Sequence, residues 1–166
     1  MPEVAVEIAA PANTEIPEMD GSMGEPTLKE RLAALAAFVP VFEGPDFVFG
    51  EWQGAAGQMP WFRLSDDARS FVSTASRFGW VVPGFDWPSW QRTEVARHLL
   101  SNPQSIETAT AEDLERLLTV HVRLDRFSEG HLASAFESGQ LPAIARRAAA
   151  LLKECRGLDE TASGLR

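Results

Sequence analysis

Three times along this chain a hydroxyl residue stands just ahead of a carboxylate and opens an apolar stripe of helical spacing: Thr27-Leu28-Lys29-Glu30, Ser65-Asp66-Asp67 and Thr110-Ala111-Glu112-Asp113. A hydroxyl there accepts one of the free N–H groups of a helix start, and the acids face the positive end of the helix dipole. The stripes that follow are Leu28, Leu32, Leu35 and Ala36; then Ala68, Phe71, Val72, Ala75 and Phe78; then Leu114, Leu117, Leu118, His121 and Leu124. Each can bury only one face, so the helices must pack on one another. Pro40, Gly79 and Asn102-Pro103 supply stops. A short helix at Trp87–Trp90 and another from about Thr93 to Leu100 fill the gap between the second and third stripes. Leu141, Ile144, Ala145, Ala148, Leu151 and Leu152 make a last helix with Pro142 in its first turn.

Between the first two stripes the period changes. Phe47, Phe49 and Glu51 alternate with Val48, Gly50 and Trp52, and after Gly54-Ala55-Ala56-Gly57 comes Met59-Pro60-Trp61-Phe62-Arg63. Alternation broken by a glycine-bearing turn predicts a hairpin, with Pro60 at an edge or strand start. The expected fold class is therefore α+β: a mainly helical single domain with a small antiparallel sheet near residues 47–63. A chain of 166 residues suits one core. We place the globular domain at 27–156, between an acidic N-terminal tail (1–26) and a C-terminal tail (157–166), both expected to be flexible. Met23 directly precedes the ordered pattern, so residues 1–22 stand either as a native extension or as the product of an upstream start.

Charge narrows the partners. Of a formal charge of -9, residues 1–26 hold six acids and no Lys or Arg, so the remainder carries only -3. No basic cluster offers the electrostatic footprint of a nucleic-acid binder, and no apolar run approaches the roughly 18 residues of a membrane span. A short helix expected at 129–138, a turn at Gly139 and the helix that follows imitate a helix-turn-helix, but Pro142 and the small apolar residues after it make a poor recognition helix. The N-terminus lacks the positive region of a secretory signal, which makes the cytosol the expected compartment. One cysteine, Cys155, allows neither an internal disulfide nor a cysteine cluster.

No catalytic motif is spelled out. The glycines of 50–57 lack the spacing and the Lys-Ser/Thr of a phosphate loop and read as a turn. His98, His121 and His131 lie far apart without metal-ligand spacing, and His121 falls on an apolar stripe, where a satisfied core histidine is the ordinary outcome. No metal or cofactor is expected. Eleven of fifteen aromatic residues fall between Phe47 and Trp90, either as core or as the wall of a pocket, with Trp61 and Trp87 as ligand-binding candidates. Asp86 stands between two rings, where burial would raise its pKa, but it is equally placed to cap the short helix that follows. The segment Arg123-Leu124-Asp125-Arg126-Phe127-Ser128-Glu129-Gly130 gathers Arg123, Asp125, Arg126 and Glu129. Two readings apply. If Ser128 caps a new helix, Arg126 pairs with Asp125 or Glu129 and braces a corner, with Phe127 and Phe136 filling its angle. Alternatively, the two guanidinium groups hold an anionic ligand, with Asp125 or Glu129 as a base.

The motifs Pro40/Phe42, Trp52, Met59/Pro60 and Arg123/Arg126/Phe127/Gly130, in that order, resemble a bacterial domain family of unknown function. Its members share a helix ending in P-x-F, a Trp-bearing strand, a Met-Pro-aromatic strand and an Arg-x-x-Arg-Phe-x-x-Gly signature. The resemblance covers about residues 27–152 and implies a self-contained small domain, with no reaction, cofactor or catalytic residue attached. This chain carries Trp or Phe where members often carry Tyr, which speaks against a catalytic phenol. The expected role is a non-catalytic protein-interaction or regulatory module meeting a protein partner. The alternative is a small enzyme or binding protein for an anionic metabolite or nucleotide, using residues 123–129.

Overall fold

The computed structural model describes residues 24–163, with side chains to residue 157; most of the expected acidic tail, residues 1–23, lies outside them. Thr27 and Glu30 close both halves of a capping box, with Glu30 N donating to Thr27 Oγ1 at 3.3 Å and Thr27 N to Glu30 Oε2 at 2.8 Å. The helix they start, α1, runs Leu28–Ala36 and buries Leu32 and Leu35 completely. Pro40 was expected only as a stop. It falls instead in the first turn of a separate one-turn helix, α2 (Val39–Phe42), where its missing N–H costs nothing.

The hairpin pairs β1 (Gly50–Gln53) with β2 (Trp61–Leu64), antiparallel and in register Gly50↔Leu64 and Trp52↔Phe62. It joins the core through aromatic contact: Phe49 stacks on Phe62 and on Phe136, and Phe47 meets Phe42 and Phe136. At Gly50 the strand passes so close to its neighbour that a Cβ would sit 2.3 Å from Arg63 O, which only glycine permits.

Six further helices complete the domain. These are α3 (Asp66–Arg77), α4 (Trp87–Trp90), α5 (Glu94–Ser101), α6 (Ala111–Leu124), α7 (His131–Glu137) and α8 (Gln140–Ser163). Ser65, Asp86, Thr93 and Thr110 each accept a first-turn backbone N–H as their N-caps. A 3-10 helix, Pro103–Thr108, follows α5 where the sequence predicted only a break. Its proline opens the helix and Asn102 caps it through Gln104 N at 3.0 Å. α8 lies along α1 and continues into the 157–166 segment. No helix among the described residues is long and apolar enough to cross a membrane.

Phe71, Trp80, Ile106, Leu114, Leu117, Leu118, Leu141 and Ile144 form the centre of the core. The aromatic run divides between the two fates open to it: Trp80 and Trp90 are buried, whereas Trp52 is 60% and Trp61 46% exposed. Trp80 ties the layers together. Its Nε1–H donates to Arg31 O at 3.0 Å, and the Arg31 guanidinium lies 4.4 Å over the indole while donating to Phe78 O, Gly79 O and Glu115.

Candidate functional site

At the end of α6 the chain turns through residues 125–130 into α7, and the expected brace at this corner needs correction. Ser128 does not cap α7. Its N–H donates to Leu124 O at 2.8 Å, and the chain enters α7 through Gly130 in the left-handed conformation, φ 81°. The first-turn donor, Leu132 N, is met instead by Asp125 Oδ1 at 3.0 Å. Nor does Arg126 brace the corner: among the described residues neither its guanidinium nor that of Arg123 has an ion pair or hydrogen bond. Phe127 does not fill the angle either. It stands 78% exposed, while Phe136 is buried with Phe42, Phe47, Phe49 and Phe71.

What seats the hairpin on the corner is Trp52. A Cβ on Gly130 would come 3.2 Å from Trp52 Cη2, and the positive φ adds strain for any other residue. Gly130→Ala is therefore expected to cost about 1–2 kcal/mol from the left-handed conformation alone, with further loss as Trp52 is pushed away. Urea denaturation compared with wild type reads this; an unchanged midpoint would refute the account.

The charges gathered in sequence separate in space. Arg123 and Arg126 line a cleft of about 280 Å³ with Gly84, Phe85, Trp87 and Phe127. Asp125 and Glu129 line another, of about 410 Å³, between the corner and the hairpin, with Trp61, Phe62 and Arg69 among its walls. The candidates thus fall into two sites of opposite character, one cationic and aromatic, the other mixed in charge. Asp86 belongs to neither lining. It is exposed and accepts Ser89 N at 3.1 Å as the N-cap of α4, the second of the two readings open to it, and the hydrogen bonds from Ser89 lower its pKa. Arg123 is the telling member of the cationic pair, because it is half-buried. A guanidinium partly withdrawn from water without a partner carries a desolvation cost that a ligand anion would offset.

The corner also holds a pair that spacing alone did not reveal. His121 and His131, ten positions apart, meet across the α6–α7 turn with His121 Nδ1 3.0 Å from His131 Nε2 and rings 26° from parallel. One nitrogen of this contact donates and the other accepts, which requires a neutral acceptor ring. Burial, and then the neighbouring His131, push the His121 pKa down to about 3, against a smaller opposing effect of the Gln140 amide. Burial also lowers the His131 pKa, opposed by the charge of Asp125. Gln140 donates to Leu99 O at 3.2 Å and Leu100 O at 3.1 Å. His121 Nε2 and Gln140 Oε1 remain without a hydrogen bond of ordinary geometry. Only 3% exposed, His121 is a corner-holding group rather than a ligand contact.

Neither the curated proteins nor the solved structures provided a match to this chain. A family model does match residues 27–154, from the Thr27 cap through the corner and into α8. With most of its length covered, the chain belongs to the family described as a family of unknown function, DUF6508.

Proposed function

We propose that this domain is a non-catalytic binding module whose Arg123–Arg126 cleft takes a small anionic ligand. The observation that carries the reading is the half-buried Arg123, beside Arg126, without a protein carboxylate and open to a cleft walled by Phe85, Trp87 and Phe127. Guanidinium forks match phosphate and carboxylate oxygens, and each charge-assisted hydrogen bond contributes about 1.5–3 kcal/mol. The charge of -9 makes the overall field repel anions, so selectivity must come from the cleft itself.

The test is a thermal-shift titration with inorganic phosphate at fixed ionic strength, on wild type and Arg123→Gln/Arg126→Gln. Because neither guanidinium holds another part of the fold, the double variant is expected to melt near wild type without ligand. Phosphate at about 100 times its dissociation constant stabilises wild type by about 2.7 kcal/mol. Equal shifts in both proteins would signal only the general salting effect of phosphate and would refute the site.

A second reading, docking of a partner protein, is favoured by the hairpin region, where Met59 is 83%, Val48 62% and, on opposite faces of the ladder, Trp52 60% and Trp61 46% exposed. An apolar surface of this kind marks interaction sites. Photo-crosslinking from position 59 that yields one defined protein adduct, lost in Trp61→Ser, would support it; the same adduct in the variant would exclude it.

A further inference from the structure

We infer that the ligand of the Arg123–Arg126 cleft carries one planar ring beside its anionic group, and that Trp87 and Phe127 clamp that ring. The inference rests on reading the cleft as an anion site and adds the chemistry of the ligand's other half.

Phe127 is the starting point. At 78% exposed it contributes little to the core, and among the described residues its one ring partner is Trp87. Their centroids lie 6.3 Å apart with planes 29° from parallel, within the 4.5–7 Å range of ordinary aromatic pairs. A planar group between two rings needs about 3.5 Å on each side, about 7 Å in all. Admitting one therefore requires the exposed Phe127 ring to swing away from Trp87. Trp87 is the fixed jaw, since it is partly buried against the core on α4 and follows the capping Asp86. Phe127 is the movable jaw, in the turn after α6, with its side chain largely in solvent.

The guanidinium groups lie on the same side of the corner. Arg126 precedes Phe127 in the chain and Arg123 is nearly one helical turn earlier, and all three line one cleft with Trp87. A ring held in the jaws would thus place an attached anion beside the forks. The volume, about 280 Å³, falls just below the range of ligand sites, about 300 to 1,000 Å³. It suits one ring system with one anionic group, the chemistry of a nucleoside monophosphate or an aryl phosphate. A polyanionic strand is disfavoured by the net charge of -9.

Isothermal titration of the full chain with AMP, phenyl phosphate, ribose 5-phosphate and adenosine separates the parts. On wild type both ring-bearing phosphates are expected to bind more tightly than ribose 5-phosphate, and adenosine weakly. Phe127→Ala should weaken the ring-bearing phosphates on the order of tenfold, the effect of one stacking contact, and leave ribose 5-phosphate unchanged. Arg126→Gln should weaken all three phosphates. If ribose 5-phosphate binds as tightly as AMP and phenyl phosphate, and Phe127→Ala changes nothing, the anion site stands and the clamp is overturned. If none of the phosphates binds, the anion reading fails and the inference fails with it.

Discussion

Trp80→Ala is expected to destabilise the domain by about 3–5 kcal/mol, the range for removing a fully buried large aromatic side chain. The indole is completely enclosed, and its loss leaves a cavity among α1, α3 and α6. It also removes the donor to Arg31 O and the ring beneath the Arg31 guanidinium, which joins α1 to the Phe78-Gly79 turn and to Glu115 on α6. The consequence reaches the cationic cleft. Just after Trp80, Val82 N donates to Thr119 Oγ1 of α6 at 2.9 Å, and Gly84, Phe85 and Trp87 continue from there as the cleft wall facing Arg123. Loosening residues 80–82 should therefore weaken ligand binding as well as stability. Trp80→Phe keeps most of the volume and isolates the indole hydrogen bond, worth about 0.5–1.5 kcal/mol because the Arg31 carbonyl lies inside α1 and keeps its helical partner. Urea denaturation of the three proteins measures both effects; a loss below about 1 kcal/mol for Trp80→Ala would contradict this placement of the core.

Acid is the second strong perturbation. In the unfolded chain His121 titrates near its ordinary 6.5, and in the folded protein near 3, because burial and His131 disfavour its charged form. The unfolded state thus binds a proton that the native state refuses. The resulting stability is fully present above about pH 6.5 and is lost as pH falls toward the folded value, at a limiting slope of about 1.4 kcal/mol per pH unit. His131, also lowered, acts in the same direction. Glu30 and Asp86 have pKa values below their ordinary 4.5 and 3.8, so their effects belong to more acidic solutions. Denaturation midpoints between pH 6.5 and 5 therefore report mainly the histidine pair. His121→Leu should flatten the profile in that window, although it removes a polar contact. A flat wild-type profile would show that the pair titrates normally in the native state.

The helices were legible because their signals are local. Thr27 with Glu30, Ser65 with Ala68 N, and Thr110 with Asp113 satisfy donors three residues away, and the same few residues that close these bonds display them in the sequence. The hairpin was legible for a similar reason, its alternation and turn lying within a short span. The 3-10 helix after α5 was missed because Asn102-Pro103 is as good a start as a stop, and only packing against α8 distinguishes them.

The corner marks where locality ends. Sequence alone determined that Arg123, Asp125, Arg126 and Glu129 stand close together, and that charge and aromatic character meet there. Which face each side chain takes was decided by the tertiary structure. Asp125 is drawn to the free N–H of Leu132, and Trp52 on Gly130 brings the hairpin to the acidic side. The segment 80–87, pinned to Thr119, supplies the aromatic wall on the other. The same turn brings His121 and His131 within 3.0 Å. A cap is settled by bonds among neighbours in the chain, whereas the environment of a side chain is settled by what the rest of the fold places against it.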